Sequence, residues 1–393
     1  MAVETSDSFE ALEAQAAVIM AVFNEAAYER VAPSIIQPAD LFLDVVGEGL
    51  RARTYVFTDQ DGEALCLRPD ITVPAVRIYL QRHPKADVAA RYCYNGSVFR
   101  YQPSGGSAAH PREFRQAGIE LFGQIDEGKA DAEIMLRTLE AVTTAGLKEP
   151  RLRVGDLGLF AALLDAIDIP ERWRARLLAQ FWRPDAFRSE LRRLSTVPAS
   201  AVEGLPADLI ASLDPEAPEE AEGLVQAYLD QRGIDAIGAR SVAEIASRLL
   251  SIAHDAKSEP LPAGIAELIE SYLAISAPVR AAGARIKDLF QRNNIDVSDA
   301  LDAFERRLSL LIKGGANIAQ ATFDAEFGRS FEYYSGFVFE VCSDELGPTS
   351  PIAGGGRYDE MMRAIGAPQA IPAVGAAIYT DRLLLAVGGG NRS

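Results

Sequence analysis

The sequence predicts an α+β fold: an antiparallel sheet flanked by helices, with a helical insertion between two strand-rich stretches. Three observations predict it. Residues 9–23 carry an apolar stripe at helical spacing, residues 40–123 break into short apolar runs punctuated by turn signals, and strand-like text returns only after Gly328, beyond a long helical stretch.

Phe9, Leu12, Ala16, Ile19, Met20 and Phe23 recur at three- and four-residue steps, which makes one face of a helix of roughly 22 residues apolar. Pro33 and Pro38 end any helix. Between Asp40 and Val76 the pattern is β, with Tyr55–Thr58 and Ala64–Leu67 paired across an Asp61–Gly62 hairpin signal. Two further strands, 91–102 and 113–123, are joined by the Gly/Ser/Ala-rich loop 103–111, and a helix follows from about residue 130 to about 144. Residues 149–328 are mostly helical and carry no catalytic motif. Within them seven arginines surround Trp173, Leu177 and Phe181 at i, i+4 and i+8, the spacing of a packed stripe whose arginines are solvated. Seven carboxylates without a Lys or Arg over 206–231 read as a solvated face or a loop between helices. The chain then gives a strand at 331–342, the triple glycine Gly354–Gly356, a helix, and a strand-to-helix passage from Ile371 to Ala386. The expected organisation is a core in two parts, 1–148 and 325–387, an insertion at 149–324, and a tail at 388–393.

Composition narrows the function classes. With 393 residues, 48% hydrophobic and 24% charged, the chain is neither disordered nor a small stapled scaffold. Three cysteines and three histidines, all scattered, offer neither a disulfide framework nor a metal site, and the reading is a cytoplasmic protein without metal or cofactor. The N-terminus lacks a signal-like pattern and no run of about 18 apolar residues occurs, so a membrane role is not expected. A net charge of −17 opposes non-specific nucleic-acid binding. Gly123–Ala130 falls short of a phosphate-binding loop, because Ala130 replaces the hydroxyl residue and Asp126 and Glu127 put negative charge into the loop.

The strand at 113–123 carries the strongest chemical signal. Period-two geometry puts Phe114, Gln116, Gly118, Glu120 and Phe122 on one face, so an amide and a carboxylate flank a gap without a side chain. Ala117, Ile119 and Leu121 make the other face apolar too, and a Glu buried on both sides needs a partner. On the partner strand Val98, Arg100 and Gln102 share a face. Asp70 and Thr72 offer a carboxylate and a hydroxyl suited to an ammonium group, or equally the cap of a helix. Arg329, Glu332, Tyr333 and Tyr334, and then Arg357-Tyr358-Asp359, add cations, anions and phenols.

In order and spacing these strings resemble a class II aminoacyl-tRNA synthetase core of the histidyl type. Motif one resembles Pro33–Phe57, followed by Leu67-Arg-Pro-Asp70-Ile-Thr72; motif two resembles Val98–Gln102 through Arg112–Glu120; the histidine signatures resemble Arg329–Tyr334 and Gly354–Asp359; motif three resembles Pro372–Leu383. The likeness covers about residues 9–145 and 325–387 and implies a six- or seven-stranded antiparallel sheet, dimeric through the motif-one region. Carried over, the family's pattern gives Asp70, Thr72 and Gln116 to the α-amino group of histidine, Arg329 to its carboxylate, and Glu120 and Tyr334 to the imidazole, with Tyr333 beside them. Arg100 and Arg382 belong to the nucleotide side. There Gln102 stands where the family has Glu, Tyr379 where it has a small Gly, and Asp381 where it has Glu, which together describe a vestigial ATP site. The chain ends eleven residues after Arg382, where the family continues into an anticodon-binding domain. A kept histidine pocket with an eroded ATP site and no such domain resembles the family of ATP phosphoribosyltransferase regulatory subunits. That resemblance implies no catalytic residues, a short-form catalytic subunit as partner in a hetero-oligomer, and histidine as a feedback signal. The alternative it leaves open is a truncated histidyl-tRNA synthetase-like enzyme that adenylates or ligates histidine.

Overall fold

The computed structural model describes residues 6–43, 47–86, 88–103, 105–107, 110–196, 207–215, 217–232, 241–256, 259–328 and 333–389. Its strands are β1 (Glu29–Arg30), β2 (Ile36–Pro38), β3 (Tyr55–Thr58), β4 (Ala64–Leu67), β5 (Ala90–Phe99), β6 (Glu113–Phe122), β7 (Arg151–Asp156), β8 (Ser276–Pro278), β9 (Thr322–Asp324), β10 (Phe337–Cys342), β11 (Ala353–Arg357) and β12 (Ala373–Tyr379). Nine of them form one sheet in the order β1-β5-β6-β12-β11-β10-β7-β9-β8, while β2-β4-β3 form a small second sheet.

The sheet corrects the expectation of six or seven purely antiparallel strands. Its six central strands, β5 to β7 in spatial order, are antiparallel, but β1 joins β5 and β9 joins β7 in parallel. The added strands are two or three residues long, too short to show a period, and only the folding of distant chain onto the sheet edges creates them. β7 lies inside the stretch expected to be helical insertion. The chain divides instead into one compact unit of residues 1–184 and 269–393 and a second of residues 185–268. The second is built from helices around Leu209, Leu213, Val225 and Leu249, and Arg193 pairs with Asp255 within it.

The helix Ser6–Glu25 packs on the helix Glu127–Thr144 and on β5. Leu12, Ala16, Ile19, Met20 and Phe23 of its stripe are buried, whereas Phe9 is exposed beneath the guanidinium of Arg115. The β3–β4 hairpin is joined by a five-residue loop rather than a two-residue turn: Thr58 pairs with Ala64, and the Asp59 carboxylate accepts from the backbone N–H of Asp61 and Glu63 while Gly62 takes φ +88°. Trp173, Leu177 and Phe181 are buried as their spacing requires. The turn after β6 leads to Asp126, whose side chain accepts from Lys129 N–H and caps the helix Glu127–Thr144.

The β5–β6 hairpin positions the chemistry. Its register sets Tyr92 opposite Glu120, Tyr94 opposite Gly118, Gly96 opposite Gln116 and Val98 opposite Phe114. Cys93 and Ile119 lie on the other face, where Cys93 Sγ approaches Asn24 of the first helix. Tyr94, Gln116 and Glu120 therefore project from the face away from that helix.

Candidate functional site

Glu120 is fully buried, and its carboxylate is held by two phenols: Tyr94 Oη donates to Oε1 at 2.9 Å and Tyr358 Oη donates to Oε2. Two glycines make the room. At Gly375, the β12 residue paired with Glu120, a Cβ would stand 1.6 Å from Glu120 Oε2; at Gly118 it would meet the Tyr94 ring at 2.5 Å. Burial drives the Glu120 carboxyl up to about 7, against the pull of hydrogen bonds from Tyr358, Thr72 and Tyr94. Burial and the neighbouring carboxylate likewise lift the Tyr94 and Tyr358 phenols well above their ordinary range.

The remaining residues converge on this carboxylate. Thr72 opens the helix Thr72–Arg82, and its Oγ1 lies 3.4 Å from Tyr94 Oη. Asp70, also buried, uses one oxygen to accept from Val73 N–H in the first turn of that helix and the other to accept from Tyr333 Oη at 3.5 Å. The helix-start reading of Asp70 is visible in the Val73 contact, while its second oxygen faces a phenol. The Tyr333 and Tyr334 rings lie 4.7 Å apart, and the ring of Tyr358 is 5.9 Å from the first and 6.5 Å from the second. Gln116 is 2% exposed, and its Oε1 has no hydrogen-bond partner among the described residues. A buried amide oxygen in that condition calls for an N–H donor. Arg329 and Glu332 lie outside the described residues.

Asp70, Thr72, Gln116, Glu120, Tyr333 and Tyr334 thus share one neighbourhood, and the sequence reading omits two of its members. Tyr94 could have been found by continuing the Val98–Arg100 face two steps upstream, to the position opposite Gly118. Tyr358 stands in a string already singled out, but its reach to Glu120 depends on β11 and β6 both flanking β12.

Arg100, Gln102, Tyr379 and Arg382 line a separate cavity of about 270 Å³ together with Arg53, His110, Phe114, Glu340 and Asp381. Two guanidiniums approach the Tyr379 ring, that of Arg382 4.5 Å and that of Arg100 5.9 Å from its centroid. Arg100 also donates to Pro69 O, and Arg53 to the Gln102 side chain at 2.7 Å. Arg382 reaches Pro351 O and His110 Nδ1. Burial, then the charges of Arg382 and Arg53, pull the His110 imidazole below its usual range. Cations are plentiful here, and an aromatic ring of the chain itself packs against two of them. No described helix is long and apolar enough to cross a membrane.

Comparison with known proteins agrees with this architecture. The histidyl-tRNA synthetase family model matches residues 5–253 and 223–383. The chain is 34% identical over 362 residues to an ATP phosphoribosyltransferase regulatory subunit of Brucella anthropi, covering 92% of this chain and 93% of the relative. It is 34% identical over 357 residues to the protein of the same name from Brucella canis, covering 90% and 92%. Among solved structures, an ATP phosphoribosyltransferase regulatory subunit/histidyl-tRNA synthetase from Bacillus halodurans superposes with a TM-score of 0.67 at 21% identity, over 98% of this chain and 82% of that one. A histidine–tRNA ligase subunit from Alicyclobacillus acidocaldarius superposes with a TM-score of 0.60 at 23% identity, over 100% and 97%. Those two likenesses establish the fold, the full-length relatives establish the branch, and the chain belongs to the family of ATP phosphoribosyltransferase regulatory subunits, built on the histidyl-tRNA synthetase fold.

Proposed function

We propose that this chain senses free histidine for a short-form ATP phosphoribosyltransferase catalytic subunit, activating that partner and relaying feedback inhibition in the first step of histidine biosynthesis. Histidine binds among Asp70, Thr72, Gln116, Glu120, Tyr333 and Tyr334, with Arg329 on its carboxylate side. The observation that carries this reading is the buried Glu120, kept between two phenols over a glycine, with the unpartnered amide oxygen of Gln116 on the same face of the strand. A cationic or N–H-bearing ligand satisfies both groups, and an imidazole with an α-ammonium has the required donors. Asp70 and Thr72 face the ammonium; Glu120 and Tyr334 face the ring.

The nucleotide end supports regulation rather than adenylation. Tyr379 packs against both Arg100 and Arg382, and Gln102, neutral where the related enzymes carry a charge, is engaged by Arg53. In this reading the protein works in the cytoplasm, without cofactor or metal, as a homodimer within a hetero-oligomer. The dimer forms through the motif-one region, where Ile36, Val56 and Phe57 of the small sheet and the adjoining Ile35 are exposed apolar residues.

Calorimetry with histidine, paired with histidine-dependent exchange of pyrophosphate into ATP, tests the proposal. Histidine binding without exchange is expected, and in the reconstituted complex Arg329→Ala should raise the histidine concentration needed for inhibition while activation persists. Robust exchange would restore the adenylating reading, and absence of histidine binding would remove the sensor.

A further inference from the structure

A second cluster of buried charge lies one layer behind Tyr358 and takes no part in the site described above. Arg357, the last residue of β11, donates from Nε and Nη2 to Asp131 Oδ1 at 3.1 and 2.7 Å, and from Nη1 to Asp359 Oδ1 at 3.0 Å. Asp131, fully buried on the helix Glu127–Thr144, gives its other oxygen to Arg307 Nε at 2.8 Å. Arg307, on the helix Ser298–Lys313, donates from Nη1 to Asp156 Oδ2 at 2.6 Å, and Asp156 caps the next helix through Gly158 N–H. The Arg307 guanidinium also lies 4.7 Å from the centroid of the Phe337 ring.

The row Asp156–Arg307–Asp131–Arg357–Asp359 thus joins three helices to the strand end that carries Tyr358. Such a row is costly to bury and is weak evidence for stability, so a positional role is the more informative reading. Tyr358 sits in the chain between the last two members, Arg357 and Asp359. Arg357 fixes the backbone before it, while the Asp359 carboxylate fixes the backbone after it by accepting from Ala373 N–H at 2.7 Å. The Tyr358 hydroxyl then has one address, Glu120 Oε2.

We infer that Arg307 is a positioning residue for histidine recognition: through Asp131 and Arg357 it holds Tyr358 where its hydroxyl orients Glu120, without touching the ligand. This rests on the histidine-sensing reading and extends it to a helix outside the pocket. Arg307→Lys keeps the charge but loses the fork that spans Asp131 and Asp156. Histidine affinity should fall about 3- to 30-fold, the range expected for an indirect coupling.

A double-mutant cycle with Tyr358→Phe tests the route, read by calorimetry on the full-length protein with unfolding transitions recorded for each variant. If Arg307 acts through the Tyr358 hydroxyl, Arg307→Lys costs little further affinity in the Tyr358→Phe background. Additive losses, or parent-like affinity in Arg307→Lys, would overturn the inference. If Arg307→Lys does not fold, Asp156→Asn, which keeps a helix-capping oxygen and removes one charge from Arg307, enters the same cycle with the same criteria. A parent protein that binds no histidine would instead refute the sensor reading itself.

Discussion

Replacing Gly375 by alanine should blind the histidine pocket without removing a polar group. The added Cβ would stand 1.6 Å from Glu120 Oε2, 2.5 Å from Glu120 Cδ and 2.8 Å from Ile119 O. The last of these is backbone in the middle of the sheet, so relief must come from the carboxylate. Reaching an ordinary contact moves it by about 2 Å, further than the hydrogen bonds from Tyr358 and Tyr94 can follow. Losing one charge-assisted bond costs about 1.5–3 kcal/mol, and crowding a packed layer costs about 1–3 kcal/mol. The first figure corresponds to a drop in histidine affinity of roughly 10- to 100-fold. The second should appear as a lower unfolding midpoint. Calorimetry and thermal unfolding read both, with Gly223→Ala as the comparison: nothing lies within 4 Å of a Cβ there, and the helix should gain about 0.5–1 kcal/mol. Parent-like histidine affinity in Gly375→Ala would mean that the ligand does not use Glu120.

The raised carboxyl of Glu120 sets a pH signature. Because the folded state holds that proton up to about 7, against an ordinary 4.5, its contribution is fullest at low pH and declines as pH rises between those values; Glu120→Gln should erase this decline in urea midpoints, and parallel curves would contradict it. Tyr379→Gly combined with Gln102→Glu should uncover Arg100 and Arg382 and raise ATP affinity, measured by calorimetry, without yielding tRNA charging; unchanged affinity would show that the ring is not what excludes nucleotide. Val56→Ser with Phe57→Ser should shift the protein toward monomer in light scattering, and an intact dimer would move the interface elsewhere. Tyr334→Ala should raise the histidine concentration required for inhibition of the reconstituted complex while activation of the partner persists; unaltered sensitivity would exclude that ring from the sensor.

The β5–β6 hairpin was legible because ten-residue strands expose their period, and the face of Gln116, Gly118 and Glu120 follows from parity alone. Register was not legible, since it depends on how the loop between the strands closes, and with it went Tyr94. β7 escaped notice because Arg-Leu-Arg-Val-Gly-Asp alternates for only four residues among helices. The short strands β1, β8 and β9 exist only through pairings with distant chain. The Arg307 row is hidden for the same reason: Asp131, Asp156, Arg307 and Arg357 lie far apart in sequence, and no local pattern pairs them until the helices dock.

The placement of Tyr379 against Arg100 and Arg382 bears on how the protein meets nucleotide. A ring attached to the chain competes with any incoming base as an intramolecular ligand, at an effective concentration of at least the millimolar order. An adenine base that is to stack where the ring lies has first to displace it from two cations. If histidine is the signal this chain passes to its partner, a ring so placed would help that signal remain a report on histidine supply rather than on the adenylate pool.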